Sequence, residues 1–222
     1  MKFQMCLRSS GHLDRIHHIT HKFLHITNSK EDIIQRDFPD IAQQLYNHNW
    51  LGERPILAAK NKDVEDLNAT IENFLPGQLV SFKSVYTIMN QNDVVNYPTQ
   101  FLNSVELPGL PPHNLHLTVG SVVIMRRNIN EPRLCNGTRL AVRKMMNNII
   151  EATILKGKYK GEDVLILRIP MIPSDLPVDL KRLQFPVRLA FAMTINKFPV
   201  SCMDTYTSLV RAWANLYQKA LN

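Results

Sequence analysis

The chain has 222 residues, 45% of them hydrophobic and 20% charged, which is ordinary for a globular protein of one large domain or two small ones. Its longest uncharged run, residues 107–125, contains Pro108, Pro111 and Pro112, so the sequence offers no membrane-spanning helix. The net charge of +7 is uneven: −5 over residues 28–106, +9 over 107–222 and +3 over the first 27. A basic C-terminal half suits a polyanion such as nucleic acid, or else a solvated surface without a partner.

Residues 1–27 show no clear period. Five histidines (His12, His17, His18, His21, His25) fall here without the spacing of metal ligands, and the basic bias has a faint transit-peptide character. Residues 30–48 read as two helical pieces, carrying Ile33 and Ile34, then Ile41 and Leu45, with Pro39 between them. Pro55 to Lys60 reads as a short buried strand. Asn61 suits a helix N-cap, and Val64, Leu67, Ile71 and Phe74 then recur at helical spacing until Pro76-Gly77 stops the helix. A strand, cap and helix in succession begin an α/β layer.

From residue 79 the period becomes that of strands. Val80, Phe82 and Tyr86 fit one, residues 90–114 read as loop, and Leu115, Leu117 and Val119 alternate up to Gly120. Further strands are expected at 121–126, 149–155 and 163–169. Asn136-Gly137, between Leu134 and Leu140/Val142, is a tight-turn signal for a hairpin. Residues 170–186 are punctuated by prolines. Residues 187–195 alternate as one strand, with Val187, Leu189, Phe191, Met193 and Ile195 on one face and Ala190, Ala192 and Thr194 on the other. Leu209, Trp213, Leu216 and Ala220 place an amphipathic helix at 204–221.

No self-contained active site is visible. The one Gly-Lys pair, Gly157-Lys158, is followed by Tyr159 and so lacks the Ser/Thr of a nucleotide phosphate loop. Glu31-Asp32 and Glu162-Asp163 do not end apolar strands, as a magnesium-holding pair would, and no serine or cysteine nucleophile has a local signature. Cys6, Cys135 and Cys202 form no CxxC pair, which indicates neither a disulfide framework nor a zinc site and fits a reducing compartment.

Several ordered motifs resemble those of the PIF-type (superfamily 1B) DNA helicases. Arg54-Pro55-Ile56-Leu57-Ala58-Ala59-Lys60-Asn61, with Asp63-Val64 and Leu67-Asn68, is similar to helicase motif IV. Phe101-Leu102-Asn103-Ser104, Leu110-Pro111-Pro112-His113-Asn114-Leu115, Val119-Gly120, Arg127-Asn128 and Leu134 to Leu140 follow in family order, and Ala190 to Lys197 resembles the front of motif V. Ile149 to Leu155 and Arg168-Ile169-Pro170 are similar to versions encoded by Helitron transposons.

The resemblance spans about residues 30–197 and implies an α/β fold: an incomplete RecA-like parallel-sheet domain (2A) with an inserted small all-β, barrel-like domain (2B). It divides the chain into a lead-in at 1–29, the first part of 2A at 30–99, 2B at 100–145, a return to 2A at 146–197 and a non-family helix at 198–222. By position it assigns single-strand DNA contacts to Asn61, Thr194, Asn196 and Lys197. Asn61 is equally explained as a helix cap, whereas for Thr194 the DNA contact outweighs its reading as a β-branched strand residue. A basic patch of Arg126, Arg127, Arg133, Arg139, Arg143 and Lys144 would add charge for DNA.

Family members use ATP and magnesium, but the first RecA-like domain has no match here. Phe198-Pro199-Val200 stands where motif V continues with Gln-Gly, and the arginine-bearing motif VI has no match. Three readings follow. The first is a truncated helicase piece with single-strand affinity, no autonomous ATPase, no catalytic residues and no metal or cofactor of its own. The second is part of an intact 5′–3′ helicase of DNA repair, recombination or telomere maintenance whose gene model is incomplete. The third is a domesticated module that docks a protein, or a complementing helicase half, through residues 204–221. The resemblance implies the nucleus, with the mitochondrion second.

Overall fold

The computed structural model describes residues 4–6, 29–58, 60–88, 103, 110–172 and 180–194. Most of the expected loop at 90–114, and the helix expected at 204–221, lie outside these residues.

The chain first builds an α/β layer from β1 (Gln4–Cys6), α1 (Lys30–Asp37), α2 (Ile41–Gln44), α3 (His48–Gly52), β2 (Ile56–Ala58) and α4 (Asn61–Asn73). Ser29 caps α1 by accepting a hydrogen bond from the Asp32 amide at 3.1 Å, and Glu31 and Asp32 oppose the positive end of the helix dipole. Pro39 and the left-handed Asp40 (φ 50°) end that helix and turn the chain into α2. The two helical pieces expected over residues 30–48 are thus α1 and α2, and α3 follows as a further short helix at His48–Gly52. α4 buries Leu67 and Ile71 on the stripe that its spacing predicts. The strand β1 arises within the lead-in that showed no period.

β2 lies between β1 and β13 (Ala192–Thr194) and is parallel to both, with Ile56 opposite Gln4 and Ala192. All three residues of β2 are buried, as expected of a central parallel strand covered on both faces.

Between α4 and β13 the described residues make ten strands: β3 (Val80–Lys83), β4 (Val85–Ile88), β5 (Asn114–Leu117), β6 (Val122–Met125), β7 (Arg139–Met145), β8 (Ile149–Ile154), β9 (Asp163–Leu167), β10 (Ile169–Met171), β11 (Leu180–Gln184) and β12 (Val187–Leu189). All their pairings are antiparallel. They form a five-stranded sheet in the order β12-β6-β7-β8-β9, a three-stranded sheet β10-β11-β4 and a pair β3-β5. Phe82 and Phe185 meet edge to face at 5.2 Å in their shared core, with Leu117, Met125, Leu140 and Ile166 around them.

Three expectations change. Residues 149–154 and 163–167, read as part of the α/β layer resumed at 146, hydrogen-bond into the antiparallel sheet, and the parallel sheet is re-entered at Ala192. The single strand expected at 187–195 is two strands in two sheets. The Ala190 amide donates to Val122 at 2.8 Å, whereas the Phe191 carbonyl accepts from Ile56 at 2.9 Å, so the partner changes within two residues. Asn136-Gly137 does not join its flanking residues as a hairpin. It closes the end of the longer β6–β7 connection, where Thr138 donates to the Cys135 carbonyl at 3.0 Å and Gly137 (φ 94°) donates to Met125 at 2.9 Å. The proline-punctuated segment also hides β10 and β11.

The two parts share packing. Val122, Ile124, Ala141 and Leu155 of the antiparallel part lie in the same apolar cluster as Leu51, Leu67, Ile71 and Phe191. Gly120 (φ 93°) allows the closest approach, since a Cβ there would sit 2.6 Å from Leu45 Cδ2.

Candidate nucleic-acid interface

The parallel sheet has one chemically distinctive edge. Asn61 lies just past the C-terminal end of β2, and Thr194 closes the adjacent β13, opposite Ala58. In α/β sheets this edge is where ligands bind, because helix N-termini present free amides there. Lys60, not Asn61, holds the cap position of α4, in extended conformation and without a side-chain cap bond. Asn61 is therefore the first helical residue, and its side chain does not serve as the cap that the sequence suggested. It is exposed, next to the uncapped first turn.

Both residues line a cleft of about 470 Å³ between α4 and the antiparallel sheet. Val64, Leu115, Ile124 and Met193 give it apolar walls, and Arg126 and Arg188 supply positive charge. The wall is held in register by Asn68. Its amide oxygen accepts from the Ala192 amide at 2.8 Å, and its amide nitrogen donates to the Ala192 carbonyl at 3.0 Å and to Leu189 at 3.4 Å. Asn68 thus bonds to β13 as a neighbouring strand would.

Deeper in the cleft wall, Glu72 is 4% exposed. Burial pushes its carboxyl up to about 7 from the ordinary 4.5, against hydrogen bonds from Ser121 and Thr118 that pull it down. One carboxyl oxygen lies 2.6 Å from Ser121 Oγ, which is also 2.7 Å from the Thr118 carbonyl and accepts from the Thr118 amide at 2.8 Å. The other oxygen is buried without a partner. A hydroxyl has one proton, so Ser121 cannot donate to the Glu72 carboxylate and the Thr118 carbonyl at once, and a protonated Glu72 that donates to Ser121 removes the conflict.

The expected basic patch separates into different roles. Arg139 is 3% exposed and donates to the carbonyls of Gly52 and Ala190, both at 3.1 Å, so it is an internal tie. Arg133 pairs with Glu162 at 2.8 Å and donates to the Asp163 carbonyl. Arg143 pairs with Asp163 and approaches Glu151. Arg127 and Lys144 are exposed, and Arg126 alone of the six lines the cleft. Asn196 and Lys197 lie outside the described residues. Arg188 was missed from the sequence. Its signal was present, since it is the single charge inside the alternating 187–195 stretch, but only the β12–β6 pairing brings it beside Arg126. Among the described residues no group of His, Cys, Asp and Glu could hold a metal ion. None of their helices is long and apolar enough to cross a membrane.

Residues 100–145 match the family model of the DNA helicase Pif1 2B domain. This stretch is thus similar to the 2B domain of PIF-type DNA helicases. Among solved structures the chain is similar to Pif1 helicase from Candida albicans, with 20% identity and a TM-score of 0.50 over 79% of this chain and 47% of that one. It is also similar to unliganded Pif1 from Bacteroides sp (19% identity, TM-score 0.43, 64% of this chain and 42% of that one). Bacteroides Pif1 bound to ssDNA gives 19% identity and a TM-score of 0.46 over 79% of this chain and 42% of that one. The chain thus spans less than half the length of each of these helicases. No curated protein sequence matches it. The fold shared with the Candida albicans Pif1 helicase is a partial RecA-like α/β unit with the 2B insertion.

Proposed function

We propose that the chain is the DNA-facing 2A/2B portion of a PIF-type helicase and binds single-stranded DNA along the cleft between α4 and the antiparallel sheet. The observation that carries this reading is the convergence of Asn61 and Thr194 at the C-terminal edge of one parallel sheet, within a cleft that also holds Arg126. The Asn61 amide and Thr194 hydroxyl can donate to phosphate oxygens, and the uncapped turn of α4 adds backbone amides and the positive end of its dipole. A Bacteroides Pif1 is described as bound to ssDNA, which supports the same ligand class here.

On this reading the 222-residue chain hydrolyses no ATP by itself. Phosphoryl transfer needs a phosphate-loop lysine, magnesium and an arginine acting together, and the sequence matches none of those motifs. Unwinding, and any role in repair, recombination or telomere maintenance, would need those parts from elsewhere, and descent from a Helitron-like element belongs to the same proposal. So does nuclear residence, and a tagged full chain confined to the cytosol would count against it.

The test is a salt titration of oligo-dT binding to the full chain, with an ATPase control. Affinity should fall by roughly 0.7 logs per log of salt for each phosphate neutralised. Binding that does not change between low and high salt sinks the DNA reading, and DNA-stimulated ATP hydrolysis by the pure chain sinks the claim of dependence.

A further inference from the structure

The mouth of the cleft contains a charge arrangement that the fold does not need. In the β12–β6 pairing Arg188 stands opposite Ile124, and the Arg126 amide donates to Pro186 at 2.8 Å. Arg126 and Arg188 are therefore diagonal neighbours on one face of the sheet, within reach of a shared ligand. The Arg126 side chain makes no hydrogen bond or ion pair among the described residues, and its Nε is buried without a partner. Burial, then the adjacent Arg188 and Arg127, hold its guanidinium below the usual arginine range. Two like charges kept side by side at a cleft, one of them unsatisfied, favour an anion between them. Arg188 is already engaged: it reaches across to Glu65 of α4 at 3.4 Å, so this ion pair bridges the two walls.

We propose that Arg126 and Arg188 form a phosphodiester clamp at the mouth of the cleft, with Glu65 as a latch that must release Arg188 before the phosphate can bind. This rests on the single-strand reading above and adds to it one phosphate position and an internal competitor. Arginine suits the role, because its planar fork can take two phosphate oxygens at once. The Arg188 and Glu65 side chains are both partly exposed, so exchanging the carboxylate for a phosphate costs little.

The test measures binding of fluorescein-labelled oligo-dT to the full chain by anisotropy across a salt series, with inorganic pyrophosphate as a competitor. Arg126→Gln should weaken oligo-dT binding about tenfold and lower the salt slope by about 0.7. Glu65→Gln should tighten binding about three- to fivefold. Glu31→Gln, which removes an exposed charge on α1 away from the cleft lining, should change it less than twofold. Wild-type binding with an unchanged slope in Arg126→Gln overturns the clamp and leaves the single-strand reading standing. Weaker or equal binding in Glu65→Gln overturns the latch. If oligo-dT fails to bind but pyrophosphate binds and needs Arg126, the site is an anion site and the single-strand reading fails. If neither probe binds, both fail.

Discussion

Arginines of similar appearance in the sequence do opposite things in this molecule. Arg139 is enclosed and ties the end of α3 to the Ala190 turn, Arg133 and Arg143 are neutralised by carboxylates of the β8–β9 region, and Arg126 is left for a ligand. Charge counts treat these residues alike, but only an arginine with spare donors can bind phosphate. Glu72 is the other residue whose environment decides its chemistry. Its folded value, near 7, lies above the ordinary 4.5, so the folded state binds the proton more tightly. The stability this confers is complete below about pH 4.5 and is lost as pH rises through about 7. Glu72→Gln should match the wild type in urea unfolding at pH 4.5 and exceed it at pH 8, by at most about 3 kcal/mol. Equal differences at the two pH values would show that the carboxyl is not titrating in the fold.

At the scale of elements, the decisive event is the passage from β12 to β13. A regular alternation runs from Val187 to Thr194, but the backbone leaves the antiparallel sheet at Ala190 and joins the parallel one at Phe191. Asn68 holds the new strand by bonding both polar groups of the Ala192 backbone, where a ladder partner would otherwise stand. Asn68→Ala would leave a buried amide and carbonyl unpaired beside the cleft. The cost should be about 2–4 kcal/mol in chemical unfolding, with oligo-dT affinity reduced as Thr194 loses its position. Asn68→Asp keeps the acceptor for the Ala192 amide but loses the donor and buries a charge, so it should be no more stable than Asn68→Ala. A cost under about 0.5 kcal/mol for Asn68→Ala would mean that β13 is held by β2 alone.

At the scale of the whole molecule, the α/β layer and the antiparallel part are two architectures with a common interior. Ile124 and Ala141 on the strands and Leu67 and Ile71 on α4 belong to one cluster, and Gly120 fits against Leu45. A shared core makes the two parts unfold together. In a Trp213→Phe background, unfolding followed by Trp50 fluorescence, which reports the α/β layer, should coincide with unfolding followed by far-UV circular dichroism. Separate midpoints would show that the 2B-containing part is an independent unit. The cleft lies along this joint, so a loss of coupling would also disperse its lining residues.

The sequence alone determined what depends on neighbours along the chain. Helical spacing placed α4 to within a residue, strand-like apolar patterning found β3, β5, β6, β8 and β9, and the ordered motifs pointed to the PIF-type family. It also named Asn61, Thr194 and Arg126, three residues that the cleft brings together. Tertiary structure decided the rest, because local periodicity carries no record of which backbone will supply the partner. A period-2 pattern is the same whether a strand stays in one sheet or crosses to another, so the switch at Ala190 was invisible. Nor does charge on a residue tell whether a carbonyl, a carboxylate or open space will face it. The burial of Arg139, the pairing of Arg133 and Arg143, and the meeting of Arg126 with Arg188 and Glu65 were settled only when distant strands and α4 packed together.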